Sequence, residues 1–145
     1  MTTAQHLDLI DRLRAQCFSA GPVRLGRHSG GPGYHLVALG ETRDFWDDDG
    51  TGRVEAAEEI EAAYEALARA LSGRWGEPQV FTLDSPAIHG PDRTRIPQPW
   101  EELSAGAREV SLWRAEDRWL VICVAGRGET DPYVLMVGIT VTDPP

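Results

Sequence analysis

The chain has no lysine and no asparagine; all 14 of its basic residues are arginine. The missing lysine removes two chemistries. A phosphate-binding loop of the GxxxxGK[ST] type needs its terminal lysine, and Schiff-base catalysis needs a primary amine. Cysteine is scarce, with only Cys17 and Cys123. They lie far apart, in an expected helix and an expected strand, and neither completes a zinc pattern. Two buried, reduced thiols are expected, because free cysteine packs as a small hydrophobe. Long apolar runs are absent too: Trp119 to Ala125 is far too short to span a bilayer. The opening MTTAQHLDLIDRLRAQ lacks a basic region followed by an apolar block, so it is no secretory signal. A cytoplasmic location without a membrane partner is therefore expected.

Acid is what the chain has in excess. Twenty-three Asp and Glu against 14 Arg give a formal charge of -9. Phosphate contacts need clustered positive charge, so no nucleic-acid partner is expected. A net negative surface speeds encounter with a positive one, which points to a basic protein partner. Carboxylate pairs are plentiful, but nothing selects one pair for acid–base work, and no catalytic residue is assigned. With 145 residues the chain suits one domain, 1–145, large enough to bury a core without metals or disulfides.

Periodicity gives the elements. Leu7, Ile10, Leu13 and Cys17 recur at helical spacing, so a first helix is expected from Ala4 to Ser19, with Thr3 as N-cap and Gly21-Pro22 as its stop. A short strand from Pro22 to Gly26 and another from Tyr34 to Leu39 flank the segment HSGGPG and read as a hairpin. Val54, Ala57, Ile60, Tyr64, Leu67 and Leu71 form one apolar stripe of a second helix, which should stop at Gly73. Glu55, Glu58, Glu59, Arg69 and Arg74 lie largely off that stripe. Strands are expected at Gln79 to Leu83, Glu109 to Arg114, Arg118 to Ala125 and Tyr133 to Val141, the last three as an antiparallel meander. The expected fold is α+β: an antiparallel sheet ending in that three-stranded meander, with two main helices packed on one face. Asp84 to Ala107 holds four prolines and no sustained period, and is expected to run over the surface as a mobile loop.

One segment has oxygen side chains in a meaningful order. In DDDGTGRVEAAE, Asp47, Asp49, Thr51, Glu55 and Glu58 fall at positions 1, 3, 5, 9 and 12 of an EF-hand loop, with Gly52 at the sharp turn and the Arg53 carbonyl at position 7. It resembles an EF-hand calcium loop. A helix start explains many of the same residues, because unpaired N–H groups and the helix dipole favour carboxylates there, with Thr51 as N-cap. The preceding YHLVALGETRDFW reads as a strand and turn rather than an entering helix. No cofactor is expected, with calcium as the alternative.

Other candidates follow from residue type. His6, His28, His35 and His89 show no metal-ligand spacing; His28 and His35 flank the hairpin and are expected as a solvated pair. HSGGPG is expected as a hairpin turn, since a phosphate cradle needs a helix after it. Trp113 and Trp119 straddle a tight turn and are expected as cross-strand neighbours on one face. Trp46 and Trp100 fall in expected loops, and with His89, Arg93 and Arg95 they are the expected partner-binding residues, tryptophan and arginine being favoured interface anchors.

The absence of Lys and Asn, whose codons are A-rich, beside abundant Ala, Gly, Arg and Pro suggests a high-GC genome. The pieces FWDDD (Phe45 to Asp49), RWGEP (Arg74 to Pro78) and VSLWRAEDRWLVICVA (Val110 to Ala125) resemble those of small acidic actinobacterial proteins, a group that carries no known activity. By general type the chain is also similar to immunity proteins of bacterial toxin systems, which are small, acidic, α+β and non-catalytic. That resemblance implies a non-enzymatic cytoplasmic module that binds a basic partner such as a toxin domain. The alternative is a metal-binding module with a single calcium site at Asp47 to Glu58.

Overall fold

The computed structural model describes residues 3–16, 18, 20–21, 23–25, 28–41, 51–82, 100–107, 109–126 and 133–143. In chain order these form α1 (Thr3–Ala15), β1 (Val23–Leu25), β2 (His28–Gly31), β3 (Tyr34–Glu41), α2 (Thr51–Trp75), β4 (Gln79–Thr82), α3 (Trp100–Gly106), β5 (Glu109–Ala115), β6 (Arg118–Ala125) and β7 (Val134–Thr140). The fold is α+β. Its strands form one antiparallel sheet in the order β1-β2-β3-β7-β6-β5-β4. The expected meander of the last three strands is present, and β7 joins it to a second meander, β1-β2-β3.

Alternation of side chains along each strand divides the core into two layers. On one face Val37, Leu39, Trp113, Leu120, Ile122, Leu135, Val137 and Ile139 pack against Ile10 and Leu13 of α1 and Ile60, Leu67 and Leu71 of α2. On the other, Leu36, Val110, Leu112, Val121 and Cys123 pack against Trp100, Leu103 and Ala107. The two main helices therefore share one face as expected, and the short α3 covers the other. Arg74 Nη1 donates to both carboxylate oxygens of Asp11, at 3.0 and 3.2 Å, and ties α2 to α1.

Helix α2 carries the chain from β3 to β4, past β7, β6 and β5, which takes about 19 Å at ordinary strand spacing. Its 25 residues extend about 37 Å, ample for that span. It runs through Gly73 and ends at Gly76, whose φ of +90° is the left-handed conformation that favours glycine. The Gly76 N–H bonds the Ser72 carbonyl at 2.9 Å, closing the helix in an αL cap. Helix α1 stops at Ala15, short of the expected Ser19, as the Gln16 N–H turns back to the Leu13 carbonyl at 3.2 Å.

Three expectations are corrected. HSGGPG is not all turn: His28–Gly31 is a strand, and the hairpin closes through Pro32 and Gly33, the latter at φ +84°. Trp113 and Trp119 lie on opposite faces, because the two-residue turn at Glu116 and Asp117 pairs Ala115 with Arg118, and so Trp113 with Leu120 and Arg114 with Trp119. Trp113 joins the layer under α1 and α2, while Trp119 joins the other. Finally, the surface loop expected through Ala107 gives way at Trp100 to a helix. Trp100 is fully buried, and Leu103 and Ala107 follow it on one helical face. The part of that segment before Trp100, residues 84–99, lies outside the described residues.

Trp100 can be buried because its indole N–H is satisfied, donating to the Thr142 carbonyl at 3.2 Å. Trp100→Ala would leave a cavity in the second layer. It is expected to cost about 3–5 kcal/mol and to lower the melting temperature by roughly 6–20 °C, measured by thermal unfolding. An unchanged melting temperature would return Trp100 to the surface.

Candidate functional site

Helix α2 builds an acidic surface among the described residues. Its sheet-facing stripe is Ile60, Leu67 and Leu71, with Tyr64 bonded to the buried Ser111 hydroxyl of β5. Burial pushes the Tyr64 phenol up from its ordinary value, so it stays a neutral hydrogen-bonding group. Fixing that stripe inward turns Glu55, Glu58, Glu59, Glu61 and Glu65 outward, and all five are exposed. Ala57, Glu58, Glu61, Ala62 and Glu65 line an open groove of about 430 Å³. Among the described residues, none of the five glutamates makes an ion pair.

The sequence-expected residues divide. Trp46, Asp47, Asp49, His89, Arg93 and Arg95 lie outside the described residues. Thr51, Arg53, Glu55 and Glu58 lie in the first turns of α2. Positions 5 to 12 of the calcium pattern are thus helical, where an EF-hand has an irregular loop. In a helix the Arg53 carbonyl points along the axis to the Ala57 N–H, away from any common centre with side-chain oxygens. No metal-binding group of three or more His, Cys, Asp or Glu occurs among the described residues. Trp100, expected at a partner surface, is instead in the core, because α3 needs a large apolar residue to cover the sheet.

A second polar cluster links α3 to the first strands. Arg24 Nη2 donates to Glu102 Oε1 at 2.5 Å, and Ser29 Oγ donates to Glu102 Oε2 at 3.2 Å. Burial raises the neighbouring Tyr34 phenol, and the Glu102 charge adds to it while Arg24 opposes it. Gly31 admits this packing: a β-carbon there would sit 2.7 Å from Tyr34 Cε1. Ser29 is not a nucleophile served by His28, since adjacent strand residues point to opposite faces. The cluster holds α3 in place.

On the α1 face of the same strands, His28 and His35 are not solvated. His35 is buried, His28 half-buried, and His28 Nε2 and His35 Nδ1 are 3.2 Å apart. Both rings project from the same face because His35 pairs with Gly30, two residues beyond His28. Phe18 packs on His35 with centroids 5.0 Å apart, and the Arg118 guanidinium lies 4.5 Å over Phe18. That the two flank the hairpin was evident from the sequence; that they are buried together is decided by register.

No protein-family model matches the chain, and no curated protein or solved structure matches it. Among the described residues, no helix is long and apolar enough to cross a membrane.

Two further buried ionisable groups have displaced titrations. Cys123 is a free thiol in the α3-side layer, and burial pushes it up to about 12. His6, buried on α1, is lowered from its ordinary 6.5 by that burial. Unfolded His6 takes up a proton near 6.5 and folded His6 only at lower pH, so the unfolded state binds more protons between them. Stability is expected to fall as pH drops below about 6.5. In urea titrations His6→Gln should flatten that dependence relative to wild type; an identical slope would show that His6 does not contribute.

Proposed function

We propose that the chain is a non-enzymatic protein-binding module whose acidic α2 face receives a basic segment of a partner. The observation that carries this is the excess negative charge of that face: five exposed glutamates, none in an ion pair among the described residues, beside one exposed arginine, Arg69. Glu55 with Glu58 and Glu59, Glu58 with Glu61, and Glu61 with Glu65 stand three or four residues apart, the spacing at which helical side chains are neighbours. Like charges so placed cost roughly 0.2–0.5 kcal/mol per pair, so the four pairs cost about 1–2 kcal/mol. A cationic partner would turn that repulsion into attraction, and the groove between the glutamates offers apolar floor for an arginine or lysine stem. The -9 formal charge works in the same direction at longer range. The resemblance to small acidic immunity proteins supports a toxin domain as the partner and the cytoplasm as the place of action.

The test is affinity capture from the native host with wild type and with Glu58, Glu61 and Glu65 all changed to Gln. Wild type is expected to retain a basic protein, with an association rate that falls as salt rises toward the regime where the Debye length is about 8 Å. The triple variant should lose it while melting at the wild-type temperature or above. Equal capture by both proteins would remove α2 from the interface.

A second reading, a calcium site at Asp47, Asp49, Thr51, Arg53, Glu55 and Glu58, draws on the spacing of those oxygens alone. Helical geometry from Thr51 onward weighs against it. Calcium calorimetry is expected to be silent up to millimolar concentration; a one-to-one isotherm abolished by Asp47→Ala would reinstate the site.

A further inference from the structure

We infer that His28 and His35 form a two-histidine binding site for a divalent transition-metal ion of the zinc class. The linear sequence offers no ligand motif, because the two residues come together only through the β2–β3 register. Their facing nitrogens, His28 Nε2 and His35 Nδ1, stand 3.2 Å apart. Two nitrogens bound to one tetrahedral zinc at ordinary bond lengths are separated by roughly 3.3–3.4 Å. The pair therefore already stands near chelating distance.

The surroundings fit an ion. Gly30 lies beneath the two rings, and a β-carbon on it would sit 3.4 Å from both nitrogens. Glycine keeps that space open. His35 is held by Phe18, itself capped by Arg118, so the ring that provides one ligand is oriented before any ion arrives. His28 is half-buried, which leaves a solvent side for entry and for water in the remaining coordination positions. Proton balance is simple. In the metal-free protein one facing nitrogen carries a hydrogen and the other accepts it. Binding needs two lone pairs, and a neutral imidazole supplies them by carrying its hydrogen on the other nitrogen: Nδ1 for His28 and Nε2 for His35. No net charge change of the rings is required. Imidazole nitrogens select zinc, copper or nickel over calcium or magnesium, so this site is chemically separate from any carboxylate calcium loop.

Calorimetric titration of the tag-free chain with zinc chloride near neutral pH is expected to give one ion per chain. His28→Gln, at the more exposed position, should weaken binding more than roughly tenfold, at least the loss that follows removal of a mere outer-shell partner of a ligating histidine. Gly30→Ala should weaken it as well, by filling the space under the ion's ligands. In the unaltered protein, NMR should show zinc shifting the ring resonances of His28 and His35 and not of His6. Absence of both heat and ring shifts in wild type would overturn the site, as would undiminished binding by a folded His28→Gln variant.

Discussion

Leu120, Val121, Ile122 and Cys123 are consecutive in β6, and none has exposed surface. Because neighbouring strand residues point to opposite faces, such a run can be dry only if both faces of the sheet are covered. The rest of the architecture answers that requirement. Helices α1 and α2 cover one face, and α3, seven residues long, covers the other with Trp100 and Leu103. Exposing Leu36, Leu103, Leu112 and Val121 alone would forfeit on the order of 6–12 kcal/mol, comparable with the whole stability of an ordinary domain. The short helix is thus as necessary to the fold as the long one.

That constraint also orients the surface. Helix α2 must turn Ile60, Leu67 and Leu71 to the sheet, and helical geometry then leaves no freedom in where its glutamates point. The acidic face is a by-product of core packing in its direction but not in its composition: alternating Arg and Glu would satisfy the core equally and repel less. In the same way, the β2–β3 register that places Leu36 in the second layer brings His28 and His35 together on the first. Both surfaces are rigidly mounted on core elements, which suits recognition without large rearrangement.

Much of this was legible in the chain. The apolar stripe of α2 and the alternation in β5, β6 and β7 are long, regular signals, and the glutamates off the stripe followed directly. What was missed is what register and short elements decide. Strand β2 is HSGG, with no apolar residue to announce it; backbone pairing alone makes it a strand. The faces of Trp113 and Trp119 depend on whether the turn between them has two residues or three, and one residue inverts the answer. Helix α3 had a signal that four prolines obscured: Pro99 before Trp100, Glu101 and Glu102 in the first turn, and Trp100, Leu103 and Ala107 at helical spacing. The histidine pair was legible as two residues flanking the hairpin, but its burial and its diagonal contact depend on the register of β2 and β3.

Native-state hydrogen exchange, read residue by residue, tests the two-sided sheet most directly. If both faces are covered as described, the amides of β6 and β7 exchange only through global unfolding, with a denaturant dependence equal to that of the whole domain. The edge strands β1 and β4 then open at lower free energy. Exchange of the β6 amides by a sub-global opening, with β1 and β4 equally protected, would contradict the account.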